Sequence, residues 1–198
     1  MAKRRKVSNP LALAVLAELV AEPMHPYEMG RRLKEHGKDR NIKYNRSSLY
    51  MVVEQLRKAG FVAEQETVRD TQRPERTVYA VTPEGRTELR DWMRELVAEP
   101  RHEYPAFGVS LSLLMVLPPA EAVELLEQRL AALAAEVTGI RASLRTALDD
   151  GVAWMFLIEE EYRAGGLEAE SRFVEHLVRQ LKEPEFIRTW HEIFGSLQ

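Results

Sequence analysis

The chain has 198 residues, 45% of them hydrophobic and 30% charged, which supports one large or two small domains with a buried core and argues against disorder. It holds no cysteine, so disulfides, thiolate metal sites and thiol nucleophiles are excluded and an intracellular, cytoplasmic protein is expected. The net charge of −3 hides an asymmetry: residues 1–94 carry 19 Lys and Arg against 13 Asp and Glu, net +6, while residues 95–198 carry 9 against 18, net −9.

Ser8-Asn9-Pro10 signals a first helix: Ser8 or Asn9 can cap it, Pro10 suits its first turn, and Leu11, Ala14, Val15, Glu18 and Leu19 keep helical spacing. The apolar run Leu11 to Val20, interrupted by Glu18, is too short to cross a bilayer, and no signal peptide is read. Glu22-Pro23 ends this helix. His25-Pro26 opens a second one, Tyr27 to His36, with Tyr27, Met29 and Leu33 expected in the core and Gly37 as its stop. A polar loop leads to a third helix capped by Asn45 or Ser47. Its Leu49, Val52, Val53 and Leu56 are spaced to pack inward, leaving Arg46, Ser47, Ser48 and Tyr50 at the exposed N-terminal end, with packing of Tyr50 into the bundle as the alternative. Gly60 suits a left-handed C-cap. Phe61 to Val68 and Thr77 to Val81 then read as strands, the second with Thr77, Tyr79 and Val81 on one face, separated by the polar loop Arg69 to Arg76. Thr82 caps a fourth helix whose stripe is Leu89, Trp92, Met93 and Leu96.

Glu99 to Pro105, with two prolines, reads as a connector. Phe107 to Leu117 is read as a short buried helix. After Pro118-Pro119, the residues Val123, Leu126, Leu130, Leu133, Val137, Ile140, Leu144 and Ala147 form a heptad seam, which could pair two copies of the chain or pack within one. Asp149-Asp150-Gly151 interrupts the pattern. A further helix, Val152 to about Lys182, has Gly165-Gly166 as a potential bend, and a last helix after Pro184 carries Phe186, Ile187, Trp190, Ile193, Phe194 and Leu197.

Enzyme readings find no support: there is no Gly-rich phosphate loop, no H-E-x-x-H and no G-x-S-x-G. The five histidines lack ligand spacing, and Glu159-Glu160-Glu161 point about 100° apart on a helix, so no metal or cofactor is expected. The order helix, Gly, strand, basic loop, strand, helix start over Asn45 to Gly85 instead reads as a winged helix, a recognition helix followed by a hairpin whose tip can reach a second DNA groove. Asn45, Ser47, Ser48 and Tyr50 are the residues placed to meet DNA. Lys43, Arg46 and Arg57 are candidate phosphate contacts, and Arg69, Arg73 and Arg76 are candidate minor-groove contacts, offset by Asp70 and Glu75.

These residues resemble the PadR family of bacterial transcriptional regulators. The pattern comprises the apolar helix Leu11 to Leu19, Pro23-Met24-His25-Pro26-Tyr27-Glu28, Ser47-Ser48-Leu49-Tyr50, Leu56, Gly60-Phe61-Val62 and Tyr79-Ala80-Val81-Thr82-Pro83-Glu84-Gly85, and Pro26 departs from it where the family usually has glycine. The resemblance implies a homodimeric repressor of the larger subgroup, mainly α with a small β-hairpin wing. In this reading residues 1–98 are a winged helix-turn-helix that binds DNA, 99–106 a linker and 107–198 a helical dimerisation domain. The partners are then a double-stranded inverted-repeat operator and a second copy of the chain, without a membrane. Leu126, Leu130, Leu133, Val137, Ile140 and Leu144 are the seam residues assigned to dimerisation. Some members release DNA on binding a small, often aromatic molecule, and Trp92, Trp154, Phe156 and Tyr162 are the residues that could line such a pocket here. From another class, an adaptor using the winged helix as a structural module remains the alternative.

Overall fold

The computed structural model describes residues 6–68 and 76–195. Its contacts divide the chain into two compact units, Met1–His102 and Glu103–Gln198.

The first unit runs α1 (Pro10–Ala21), α2 (Pro26–Glu35), a 3-10 turn (Lys38–Arg40), α3 (Arg46–Lys58), β1 (Val62–Val68), β2 (Arg76–Val81) and α4 (Pro83–Ala98). The Asn9 side chain caps α1 by accepting from the Leu11 amide at 2.9 Å, and Pro10 occupies the first helical position. Leu11, Ala12, Val15, Leu16 and Leu19 make α1 the hub of the core, packed against α3, α4 and β2. The buried face of α2 is Pro26, Met29 and Leu33. Tyr27, expected in this core, is 62% exposed because it lies one residue, about 100° of helix, away from buried Pro26.

A Schellman ending closes α3. Gly60 adopts φ +80°, its amide donates to Arg57 O at 3.0 Å and the Phe61 amide donates to Leu56 O at 2.9 Å. Phe61 is thereby committed to the helix end, so β1 begins one residue later than the apolar pattern suggests. The strands pair antiparallel with Val62 opposite Val81, and a bulge interrupts the register between Glu64 and Glu66. Reciprocal bonds of 3.1 Å between Met24 and Tyr79 tie the α1–α2 loop to β2. Thr82 joins wing to helix: its hydroxyl donates to Gly60 O at 2.8 Å and accepts from the Gly85 amide at 3.0 Å, capping α4. On α4 Trp92 is buried and Leu89 packs against the core, but Met93 and Leu96 are 43% and 38% exposed, so the inward stripe is narrower than expected.

The second unit comprises α5 (Ala106–Ser112), a 3-10 turn (Leu114–Val116), α6 (Pro119–Asp149), a 3-10 turn (Trp154–Phe156), α7 (Ile158–Leu181) and α8 (Pro184–Phe194). After α6 the chain reverses through Gly151, at φ +83°, and α7 packs back along α6. Seam residues Leu126, Leu133, Ile140 and Leu144 are 4–6% exposed within this single chain. Leu126 clusters with Val174, Val178 and Leu181 of α7, and Ile140 and Leu144 with Ala164. Leu130 and Val137 are half-buried. The heptad seam is thus a correction to the dimer assignment: α7 of the same chain meets its need for an apolar partner. Arg129–Glu170 at 2.6 Å, Arg141–Glu168 at 2.8 Å and Lys182–Glu127 at 2.7 Å bridge the two helices.

Two further expectations change here. Phe107 to Leu117 is a short helix and a 3-10 turn, with no residue of either fully buried. Phe107 is nonetheless anchored beneath the Arg129 guanidinium, 3.6 Å from its ring centroid. The helix expected from Val152 starts only at Ile158, after a 3-10 turn, and runs through Gly165 and Gly166 without interruption. Among the described residues no helix is long and apolar enough to cross a membrane.

Three substitutions test this packing. At Gly85 a Cβ would lie 2.0 Å from the Phe61 carbonyl oxygen, so Gly85→Ala should lower the melting temperature of the first unit. At exposed Gly139, within α6, a Cβ meets nothing within 4 Å, so Gly139→Ala should stabilise by about 0.5–1 kcal/mol. Leu133→Glu should abolish much of the helical circular dichroism of the second unit rather than release a folded monomer, because it puts a charge at a site 6% exposed.

Candidate nucleic-acid interface

The start of α3 is set by a reciprocal cap. Asn45 Oδ1 accepts from the Ser48 amide at 2.8 Å, and Ser48 Oγ accepts from the Asn45 amide at 2.8 Å and donates to Asn45 O at 2.9 Å. Of the two expected caps, Asn45 is the one used. The Ser48 proton is already engaged, so Ser48 lacks a free donor for a phosphate oxygen, and its part is to hold the helix entry. Ser47 stands exposed beside it.

Further along the same end, Arg46 places its guanidinium 5.7 Å from the Tyr50 ring centroid. His25 meets the other side of the problem, since its ring lies edge-on to Tyr50 with centroids 6.1 Å apart and its Nδ1 accepts from the Tyr27 amide at 3.1 Å, capping α2. Half-buried Tyr50 is therefore braced from α2 while remaining partly open. Sequence spacing marked His25 only as the opening residue of a helix. Its contact with Tyr50 spans 25 positions and becomes visible only once α2 and α3 are packed together.

The far end of α3 is less available than its basic residues suggest. The Arg57 guanidinium is gripped in a two-point pair by Glu54, at 2.7 and 2.8 Å, with Glu64 at 3.8 Å, and Lys58 lies 3.6 Å from Glu54. The Arg57 hydrogen bond holds the Glu54 carboxyl down at about 2, against an ordinary value of 4.5, and Glu54 raises Arg57 in return. A depressed carboxylate stabilises the fold fully above pH ~4.5, and that contribution fades as pH falls toward 2. Lys43 is exposed in the loop before α3. Arg69, Arg73 and the side chain of Arg76 lie outside the described residues.

Of the aromatic residues assigned to an effector pocket, one lies in the first unit and three in the second. Trp92 is 3% exposed and belongs to the first unit's core, so its ring is taken up by packing. Trp154, Phe156 and Tyr162 belong to the second unit and are 57%, 76% and 83% exposed, with Trp154 Nε1 donating to Glu161 at 3.4 Å. None of the four lines the cavity between α2 and α3 or the one among α6, α7 and α8. Among the described residues no group of three or more His, Asp or Glu is placed to hold a metal ion.

Residues 13–91 match the Transcriptional regulator PadR-like family. The resemblance read from the sequence is borne out over that segment. The chain is similar in fold to PadR from Bacillus subtilis in complex with operator DNA, with a TM-score of 0.71 and 17% identity over 88% of this chain and 100% of that one. PadR from the same organism in complex with p-coumaric acid gives 0.66 at 19% identity, covering 87% and 99%. A PadR-like transcriptional regulator from Bacillus cereus gives 0.58 at 16% identity, covering 91% and 100%. At these identities the likeness is one of fold, mainly helical with a two-stranded wing. No curated protein matches the chain.

Substitutions at two positions separate cap from contact. Asn45→Ala should cost about 1 kcal/mol in the stability of the first unit and Asn45→Asp very little, measured by denaturant unfolding. Glu54→Gln should release Arg57, so that affinity for a DNA duplex rises and its salt dependence steepens if Arg57 reaches phosphate.

Proposed function

We propose that this chain, PadR-like over residues 13–91, is a DNA-binding transcriptional repressor that acts as a homodimer on an inverted-repeat operator. The observation that carries this reading is the start of α3, where a capped, rigid helix end presents Ser47, Arg46 and the braced ring of Tyr50 above a face that Leu49, Val52, Val53 and Leu56 bury. Such an end is what a recognition helix offers to base edges and phosphates in a major groove. In support, residues 1–94 have a net charge of +6, and one structural relative was solved with operator DNA. Lys43, Arg46 and Arg57 are assigned to phosphate, with Arg57 first exchanging Glu54 for it, and Arg69, Arg73 and Arg76 to the adjacent minor groove. The protein works as a regulator with no catalytic step and acts in the cytoplasm, where its operator is.

Self-association is assigned to the second unit. Since the heptad seam is closed by α7, the surface for a second copy is sought in what remains apolar and exposed: Val109, Leu113 and Val116 are 57%, 61% and 76% exposed. A two-fold arrangement would present two recognition helices one or two helical turns of DNA apart, ~10–20 bp. A small-molecule effector that weakens DNA binding completes the reading, in support of which a structural relative was solved with p-coumaric acid.

Binding to a labelled duplex from the region upstream of the protein's own gene tests this. Selective binding that weakens about a thousandfold or more between 50 and 200 mM salt is expected if six or more phosphates are contacted across the dimer. Sequence-indifferent or salt-insensitive binding would overturn the repressor reading and favour an adaptor. In sedimentation, Leu113→Glu should shift a dimer toward monomer with helicity unchanged; a persistent dimer would place the interface elsewhere.

A further inference from the structure

Between α6 and α7 the 3-10 turn Trp154–Phe156 leaves an aromatic tip in solvent. Trp154, Met155 and Phe156 are 57%, 66% and 76% exposed, and Tyr162, just inside α7, is 83% exposed. Fraying does not account for this exposure. The Phe156 amide donates to Ala153 O at 3.0 Å, the Leu157 amide donates to Trp154 O at 2.8 Å, and Leu157 packs against the cluster of Ile140 and Leu144. A turn fastened from beneath therefore holds its rings outward, and clustered exposed rings of this kind mark a contact surface.

At the opposite end of the same pair of helices, the start of α6, the end of α7 and α8 enclose a cavity of about 450 Å³. Its floor is apolar, with Pro119 and Leu181 buried and Val123 half-buried, and Ile187 of α8 forms a wall. Lys182 and His191 stand on its lining, which includes no carboxylate among the described residues. The tip has the opposite charge: residues 149–162 hold five Asp and Glu and no Lys or Arg. Val123 and Leu148 lie near the two ends of α6, 25 residues apart, so at 1.5 Å per residue cavity and tip are separated by about 38 Å. A tip cannot reach the cavity of its own chain.

We propose that the occupant of this cavity is the Trp154–Phe156 turn of a second copy, and that two copies lie antiparallel so that each fills the other's cavity. The proposal rests on the homodimer reading above and names what the second copy brings to the contact. A two-fold axis across the helix pair brings tip to cavity twice, which closes the assembly at two copies instead of letting it grow into a chain. Lys182 and His191 then meet the acidic groups that flank the incoming turn, a complementarity that fixes direction because tip against tip would set acid against acid. The exposed row Val109, Leu113 and Val116 runs in sequence into Pro118 at the cavity rim, so both apolar surfaces belong to one interface. Aromatic side chains of about 150–250 Å² each, contributed by both copies and matched by the surface they cover, suffice for the ~1,200 Å² that a stable interface buries.

The test uses the full chain. Phe156→Glu should leave the helical circular dichroism unchanged, because the site is solvent-exposed, and raise the dimer dissociation constant about 100-fold or more in sedimentation. Trp92 and Trp190 are 3% and 4% exposed, so Trp154 is the tryptophan that association can bury. Emission of the parent should shift to shorter wavelength as its concentration rises through the dissociation constant, and Trp154→Phe should lose that shift while still dimerising. The chain has no cysteine, which permits a direct measure of proximity. Under mild oxidation by dioxygen with a copper catalyst, Phe156→Cys combined with Ala120→Cys should form bridged dimers about tenfold or more faster than either single variant, since docking raises the effective concentration of the two thiols. Bridging of Phe156→Cys alone at the same rate would set tip against tip and overturn the exchange. A dimer that persists in Phe156→Glu, or a double variant that bridges no faster than the single ones, likewise overturns it and leaves the homodimer reading standing. A parent that stays monomeric at every concentration refutes the homodimer reading, and the exchange with it.

Discussion

Burial of one face of α3 is the constraint from which the first unit follows. Leu49, Val52, Val53 and Leu56 occupy positions i, i+3, i+4 and i+7, all at most 2% exposed, and each contributes about 1.5–3 kcal/mol of apolar burial. Turning that face inward against α1 and α2 leaves no choice about the rest of the helix: Arg46 and Ser47 must stand outside. The two ends are then fastened by different means. Asn45 and Ser48 lock the entry, while Gly60 and Phe61 stop the helix and hand the chain to β1. Thr82 closes the circuit by bonding Gly60 O and starting α4 from the same junction. Helix α3 is therefore held at both termini, and its exposed end has little conformational freedom left to lose on meeting a partner.

The second unit solves a different problem, that of a long helix with a continuous apolar stripe. A heptad seam states that a partner is needed and is silent on whose chain supplies it. Gly151 permits the reversal that lets α7 fill the role, and small Ala164 allows close approach opposite Ile140 and Leu144. Ion pairs at Arg129–Glu170 and Arg141–Glu168 bridge helices whose residues are 41 and 27 positions apart. The stripe is thereby satisfied internally, which leaves Val109, Leu113 and Val116 as exposed apolar surface on α5 and the turn after it.

Electrostatics in the winged helix show why counting cations overstates a binding surface. Arg57, Lys58 and Arg31 each lie next to a carboxylate one helical turn away, so their fields are largely cancelled at short range. Lys34 and Arg46 are the exceptions among those that line the groove between α2 and α3. Helical spacing puts Glu54 within reach of Arg57 and Glu28 within reach of Arg31, and the placed side chains show that both pairs form.

From the sequence alone, the inward rows of α1 and α3, the cap at Thr82, the left-handed Gly60 and the hairpin were legible, and the caps of α1 and α3 were narrowed to two candidates each, because each is a local rule of spacing or backbone geometry within a few residues. The family pattern, carried by motifs between Leu11 and Gly85, was legible for the same reason, and the family match falls on residues 13–91. Tertiary structure decided what depends on distant residues: that α7 closes the heptad seam, that Trp92 belongs to a core, that Tyr27 faces outward and that His25 braces Tyr50. Periodicity reports that a side chain seeks an apolar neighbour. Which neighbour it finds is a property of the packed chain.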